Sequence, residues 1–129
     1  MTASKKTACS PVEITLDVVG GKWKPLIIYF LLRQDIMRFN EIQRAIPAAT
    51  RRMITKHLRE LEEHGIVHRE VYAEVPPRVE YSLTPLGHTL TPVLNAISAW
   101  GLEYIAQDPN IELRTPDDMS AQSMDIDSY

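Results

Sequence analysis

The fold of this chain is decided by residues 38–67, which read RFNEIQRAIPAATRRMITKHLRELEEHGIV. Apolar residues at helical spacing over residues 39–46 predict a short helix, which ends before Pro47 because the residue preceding a proline avoids the helical region. Thr50 is suited to cap a second helix, and Gly65 lies where a left-handed C-terminal cap is expected. The stretch therefore predicts two short helices separated by a brief turn.

The second of these helices has two faces of opposite character. At 100° per residue, an arc of about 140° over residues 51–59 holds cationic and hydroxyl side chains and no acid: Arg51, Arg52, Thr55, Lys56 and Arg59. The acids return at Glu60, Glu62 and Glu63. The opposite arc holds the side chains expected to face the core: Met53, Ile54, His57, Leu58 and Leu61. With Arg38 and Arg44 upstream, residues 38–59 carry six lysines and arginines against one acid, Glu41.

Two short helices of which the second exposes arginines are typical of helix-turn-helix proteins, whose second helix enters the major groove of DNA. Arginine suits this role because its planar fork pairs with guanine O6 and N7, while lysine and threonine contact bases or phosphates. The residues predicted to contact DNA are Arg38, Thr50, Arg51, Arg52, Thr55, Lys56 and Arg59. A helix face that is merely solvated is the alternative.

A β-hairpin is predicted directly after the second helix. Residues 66–72 (IVHREVY) and 79–83 (VEYSL) alternate in the manner of strands and are rich in β-branched and aromatic residues. Pro76 and Pro77 fall in the tip, where the missing N–H donors do not interrupt the ladder. Such a hairpin can serve as a wing, with Arg78 reaching the minor groove or phosphates. Because the hairpin also holds three glutamates, a purely structural β-ribbon is the alternative.

Further helices are predicted on both sides of this region. Ser10 and Glu13 form a capping-box pattern, each accepting the backbone N–H of the other, ahead of a helix of about ten residues. A second helix runs over residues 25–33. A last, long helix opens at Thr84 and carries an apolar stripe that exceeds the needs of one small core, with a kink expected at Pro92: Leu86, Leu90, Val93, Leu94, Ile97, Trp100 and Tyr104. Both tryptophans are expected in the core.

The composition fits one folded domain. The chain has 129 residues, of which 44% are hydrophobic and 24% charged, as in soluble globular proteins with a single core. No apolar run approaches the ~20 residues that a bilayer requires, and the first residues lack a hydrophobic signal core. We therefore expect a cytoplasmic protein without membrane contact.

Charge is distributed unevenly along the chain. The net charge is −3, and residues 108–129 hold six acids and one arginine, which leaves +2 for residues 1–107. The acidic stretch has few aliphatic residues and no periodicity, which predicts a disordered tail. We assign residues 1–10 to a flexible N-terminal arm, 11–107 to a winged helix-turn-helix domain that is mainly α with a small β-hairpin, and 108–129 to the acidic tail.

These motifs resemble the HxlR-type winged helix-turn-helix regulators, bacterial relatives of the MarR group. The resemblance covers about 90 of the 129 residues. It runs through PVEITLDVVGGKW (11–23), RFNEIQRAIP (38–47), MITKHLRELEEHGIV (53–67) and VPPRVEYSLTPLG (75–87) to Trp100 and Gly101. It implies a homodimer, assembled through the first and last helices, that binds a palindromic operator in double-stranded DNA.

By the same resemblance, residues 50–59 begin the recognition helix and Arg78 is the wing arginine. The chain departs from the family pattern at two places. Members usually read Pro-Gly-Ile-Ser where residues 47–50 read Pro-Ala-Ala-Thr, which alters the turn before the recognition helix. The family's cysteine commonly precedes the proline directly, whereas Ser10 stands between Cys9 and Pro11.

Cys9 is a candidate redox sensor on independent grounds. It precedes a helix cap, where the helix dipole and the nearby Lys5 and Lys6 favour the reactive thiolate. Because the chain has one cysteine, oxidation leads to a sulfenic acid, a mixed disulfide with a small thiol, or a disulfide between subunits. An inert surface cysteine is the alternative.

No motif indicates catalysis, a metal or a cofactor. His64 and His68 have the spacing of helical metal ligands, but Gly65 ends the helix between them. We find no nucleophile paired with a base and no phosphate-binding loop, so an enzyme is not expected. The hypothesis is a transcriptional regulator, acting as a repressor, that responds to oxidants or electrophiles through Cys9. The alternatives are a winged-helix protein-interaction module and a regulator of a non-covalent small ligand.

Overall fold

The computed structural model describes residues 7–113, which form a mainly helical chain with one small antiparallel sheet. The elements within these residues are α1 (Pro11–Val19), α2 (Trp23–Gln34), β1 (Ile36–Met37), α3 (Phe39–Ala45), α4 (Arg51–Glu63), β2 (Val67–Tyr72), β3 (Arg78–Leu83), α5 (Pro85–His88) and α6 (Thr91–Gln107). The predicted fold class is confirmed. Most of the predicted arm and tail lies outside the described residues, so both stay predictions.

The core is built by α2 against α3, α4 and the sheet. Its largest fully buried side chains are Ile27, Ile28, Leu31, Met37, Ile42, Ile54 and Leu61. Burying one side chain of this size contributes about 1.5–3 kcal/mol. The apolar arc of α4 therefore anchors that helix, as predicted, except that Met53 at the edge of the arc is 38% exposed.

Side chains close the turn between α3 and α4. The Gln43 Nε2 donates a hydrogen bond to the carbonyl oxygen of Ala49 at 2.7 Å. The Thr50 Oγ1 accepts from the backbone N–H of Met53 at 3.1 Å and so caps α4, as predicted. The helix ends just before Gly65, whose φ of 77° requires a residue without a Cβ.

The sheet contains a strand that the sequence did not reveal. β1 pairs antiparallel with β3, with Ile36 opposite Ser82 and Met37 opposite Tyr81, so the strand order is β1-β3-β2. The sequence predicted only helices before the hairpin, so β1, between α2 and α3, corrects that prediction. A strand of two residues has no alternation to detect, and it exists because β3 offers an edge for pairing. We call the β2–β3 hairpin the wing.

The predicted long C-terminal helix is divided into α5 and α6. Pro92 lies in the first turn of α6, and it has no N–H to donate to the carbonyl oxygen of His88. That oxygen instead accepts from the Thr91 Oγ1 at 2.7 Å. Pro92 thus begins a helix and does not kink one. Neither α6 nor any other helix within residues 7–113 is both long and apolar enough to span a membrane.

Candidate nucleic-acid interface

The cationic face of α4 lies at the protein surface. All five predicted members are exposed, and we call them the recognition face: Arg51, Arg52, Thr55, Lys56 and Arg59. On the other side of the helix, Ile54, Leu58 and Leu61 are buried. The division follows from the helical period, because the apolar residues fix which face of α4 meets the core. A cluster of exposed cations of this kind fits a polyanion, and the exposed acids Glu62 and Glu63 bound it at the C-terminal end of α4.

Arg51, the first residue of α4, is attached to the start of α3. Its Cζ lies 4.5 Å from the centre of the Phe39 ring, and its Nη1 donates to the Asn40 Oδ1 at 3.2 Å. The N-termini of the two helices are thereby joined at the edge of the recognition face. No local pattern predicted this contact, because it links residues on different helices without any periodic relation.

Two other predicted DNA-contacting residues are helix caps. Arg38 is the N-cap of α3, and its backbone N–H donates to the Glu41 Oε1 at 2.7 Å, which leaves the exposed side chain outside the helix. Thr50 is the N-cap of α4. Helix N-termini favour anions because their first N–H groups lack helical partners. These positions are compatible with contacts to DNA phosphates.

The predicted wing arginine, Arg78, is bound within the wing. Its Nη2 lies 2.9 Å from the Glu74 Oε2 and its Nη1 lies 3.2 Å from the Glu80 Oε2. The guanidinium also stacks over the Tyr72 ring, with the Cζ 4.0 Å from the ring centre. The two glutamates therefore offset the charge of Arg78 before any DNA binds. Its role in DNA binding stays a prediction.

A cleft of about 470 Å³ separates α4 from the wing. Thr55 and Arg59 line one side and Arg69 and Tyr81 line the other. Burial raises the pKa of the Tyr81 phenol, so this hydroxyl keeps its proton and can donate. The sequence analysis did not assign Arg69 or Tyr81, although the strand alternation and the hairpin register put them opposite each other.

A buried ion pair holds α4 against α2. Lys24 is only 8% exposed, and its Nζ lies 2.9 Å from the Glu60 Oε1. This hydrogen bond from the ammonium group lowers the pKa of the Glu60 carboxyl. The His57 Nδ1 lies 3.6 Å from the same oxygen. The sequence analysis missed the pair, although a lysine within the apolar run WKPLIIYF was a signal for it.

The surroundings of Cys9 differ from the predicted capping box. Glu13 Oε1 accepts the backbone N–H of Cys9 at 2.8 Å, and not that of Ser10, and Ser10 Oγ accepts from Val12 at 3.1 Å. The hydrogen bond from Cys9 lowers the pKa of the Glu13 carboxyl. The thiol is exposed, and the Glu13 carboxylate lies beside it.

The two ends of the domain expose large apolar side chains. The exposed large apolar residues of α1 and α6 are Val12, Ile14, Leu16, Ile97, Trp100, Leu102 and Tyr104. Trp100 is 65% exposed and stacks on Tyr104 with ring centres 5.3 Å apart. The expectation that Trp100 lies in the core is therefore wrong. Trp23, in contrast, packs against the core. Apolar side chains exposed in this number are typical of an interaction surface.

The chain is similar to known transcriptional regulators. A family model described as HxlR-like helix-turn-helix matches residues 18–109. The chain is 55% identical over 96 residues to YybR, an uncharacterized HTH-type transcriptional regulator of Bacillus subtilis (strain 168), covering 74% of this chain and 75% of YybR. The corresponding values for YdeP, another such regulator from the same strain, are 53% over 94 residues and 73% of each chain.

Solved structures of a redox regulator are also similar. The oxidized form of the redox regulator HypR superposes with a TM-score of 0.69 at 50% identity, covering 81% of this chain and all of that chain. The reduced form of HypR gives a TM-score of 0.70 at 55% identity, covering 73% of this chain and 92% of that chain.

Proposed function

The chain belongs to the HxlR-like helix-turn-helix family of transcriptional regulators, and on that premise we propose that it is a homodimeric repressor that binds a palindromic operator. In this proposal the recognition face of α4 enters the major groove, and Arg38 and Thr50 lie against the phosphates beside it. The two α4 helices of the dimer would lie about 34 Å apart, one turn of B-DNA. The protein would act in the cytoplasm, and occupying a promoter would block transcription.

The proposal depends chiefly on one observation, the separation of charge over the first two and a half turns of α4. From Arg51 to Arg59 the exposed face carries no acid and the opposite face is largely buried, and the exposed acids Glu62 and Glu63 follow only at the C-terminal end of the helix. A helix that is only solvated gains nothing from excluding acids from one face, since alternating charges support it better. A helix that lies along phosphates does gain, because each acid there would repel the DNA.

The test is selection of binding sites from a random duplex pool by the purified, reduced protein. We expect enrichment of a two-fold symmetric motif whose half-sites are one helical turn apart. The affinity for that motif is then measured against salt concentration. A dimer that neutralises two phosphates per subunit gives a log–log slope of about −3.6, at about 0.9 per phosphate.

Other outcomes of the same test have definite meanings. Binding that is steeply salt-dependent but selects no motif would contradict a sequence-specific regulator. Failure to bind any duplex would contradict DNA binding and favour a winged-helix module whose arginines meet an acidic protein. Binding that weakens on addition of a small molecule with Cys9 unmodified would favour a regulator of a non-covalent ligand.

Dimerisation is proposed to involve the exposed apolar residues of α1 and α6. We expect Trp100→Glu to give a monomer at concentrations where the wild-type protein is a dimer, because the change puts a charge into an apolar contact. Light scattering coupled to size exclusion measures this. Ala73→Glu, at an exposed position in the wing, adds the same charge outside α1 and α6 and should leave the dimer intact. An unchanged dimer of Trp100→Glu would exclude this contact.

We also propose that Cys9 senses oxidants. An oxidant would take two electrons and two protons from two Cys9 thiols to form a disulfide between subunits, or oxidise one thiol to a sulfenic acid or a mixed disulfide. The exposed thiol and the similarity to the redox regulator HypR support this proposal.

The Cys9→Ser protein should bind the operator as tightly as the reduced wild type and should lose any response to diamide or peroxide. Operator affinity with and without oxidant measures this. The reason is that Cys9 is the single cysteine of the chain. A serine variant that still responds would assign the sensor to another group.

A further inference from the structure

Arg51 differs from the other two arginines of the recognition face because its side chain contacts other residues of the protein. Its guanidinium is stacked on Phe39 at 4.5 Å and hydrogen-bonded to Asn40 at 3.2 Å. Within residues 7–113, neither Arg52 nor Arg59 forms an ion pair or a hydrogen bond through its side chain. Arg51 is thus held in place before any ligand binds.

The geometry of this contact keeps Arg51 available for DNA. A guanidinium group carries five N–H donors, and the contact between the Arg51 Cζ and the Phe39 ring, 4.5 Å from the ring centre, is not a hydrogen bond to an acceptor atom. The hydrogen bond to Asn40 uses one donor, so four remain. The edge of the guanidinium can therefore still make the paired hydrogen bonds that arginine forms with guanine O6 and N7.

Holding the side chain in place also affects selectivity. A free arginine adapts to a guanine, a neighbouring base or a phosphate, and it loses rotational freedom on binding. A stacked arginine has lost part of that freedom in advance and presents its donors at one angle. It favours the base whose acceptors fit that angle over the others.

We propose that Phe39 and Asn40 are positioning residues, which orient Arg51 to read one guanine in each half-site of the operator. This inference depends on the proposed function, since it concerns how the proposed interface distinguishes sequences. It assigns a specificity role to the start of α3, which contributes no base contact of its own.

The test compares motifs selected from a random duplex pool by the wild type and by Arg51→Ala. Arg51→Ala should lose the preference for one guanine per half-site, which in the wild type is worth about 5- to 150-fold in affinity. Phe39→Leu and Asn40→Ala should each reduce discrimination at that same base pair by about 2- to 5-fold. Phe39→Tyr, which keeps the aromatic ring, should retain it.

A structural role of Phe39 would give a different pattern. It would weaken binding to all sequences alike, whereas a positioning role changes one base pair and disappears when Arg51 is absent. Adding Phe39→Leu to Arg51→Ala should therefore cause no further loss of discrimination. Because Phe39 packs partly against the core, Asn40→Ala at an exposed site decides the question if Phe39→Leu does not fold.

Three results would overturn the inference. Arg51→Ala could leave every position of the motif intact, or the Phe39 and Asn40 variants could weaken all sequences equally, or they could alter a position other than that of Arg51. Each of these leaves a selected motif and so leaves the proposed function standing. If the wild type selects no motif, the proposed function fails and this inference fails with it.

Discussion

Replacing Arg52 and Arg59 together by glutamine should weaken operator binding by about 2–6 kcal/mol per half-site, or about 30-fold to more than 10 000-fold for each half-site. Both side chains are exposed on the recognition face and form no ion pair within residues 7–113, so their full charge is available to DNA. An arginine that contacts a base contributes about 1–3 kcal/mol. The two residues are two helical turns apart, which makes their effects close to additive.

Fluorescence anisotropy on the selected operator, at several salt concentrations, measures the effect. If both arginines also neutralise phosphates, the log–log slope should fall in magnitude by about 1.8 per subunit. The matched control is Lys22→Gln with Asn110→Asp, which changes the net charge by the same two units at exposed positions outside the recognition face and outside α1 and α6. Equal weakening in the control would show that net charge, and not the recognition face, determines affinity.

Replacing Glu60, the acid that pairs with Lys24, should lower the free energy of unfolding. We expect Glu60→Gln to lower the free energy of unfolding by about 2–3 kcal/mol, because it leaves a buried ammonium group without a counter-charge. Lys24→Met should cost less than Glu60→Gln, because the Glu60 side chain is 33% exposed and water can solvate it once it is alone. Urea unfolding at about pH 7 gives both values.

The double variant tests whether the two residues act as a pair. With Lys24→Met and Glu60→Gln combined, no buried charge remains, so stability should recover toward the wild type. A double variant as unstable as the sum of the single variants would contradict a direct coupling across the 2.9 Å contact.

The pair should also make stability depend on acid pH. Lys24 lowers the pKa of Glu60 below 4.5 in the folded protein, so the pair contributes fully above about pH 4.5 and is lost as the pH falls through the folded pKa. The stability difference between wild type and Glu60→Gln should therefore shrink below about pH 4.5. His57 and Lys56 also lie near this carboxylate, and they are unchanged in both proteins, so the comparison isolates Glu60.

Much of the fold was predictable from local signals. Only a few neighbouring residues are needed to predict each of three features: the helix cap at Thr50, the left-handed glycine at Gly65 and the hairpin after it. β1 and the break before α6 were not predicted. The two-residue strand β1 forms because residues 81–82 of β3 offer it an edge for pairing. Pro92 can begin α6 because the Thr91 hydroxyl donates to the His88 carbonyl oxygen, which a proline cannot do.

The candidate interface shows the same division. The recognition face followed from the helical period, since five polar side chains fell on one arc and the apolar ones on the other. The side-chain contacts of the individual arginines could not be predicted from this period. Arg78 is paired with two glutamates and Arg51 is stacked on Phe39, and Arg52 and Arg59 show neither contact within residues 7–113.

The helix-turn-helix, the wing and the exposed cationic face could be predicted from sequence, because capping, turn residues and periodicity act over a few neighbouring residues. Which charged side chains have partners depends instead on how the elements pack. Lys24 meets Glu60 across two helices, and Arg51 meets Phe39 in the same way. Contacts between residues distant in sequence depend on how the elements pack, and no local pattern encodes that packing.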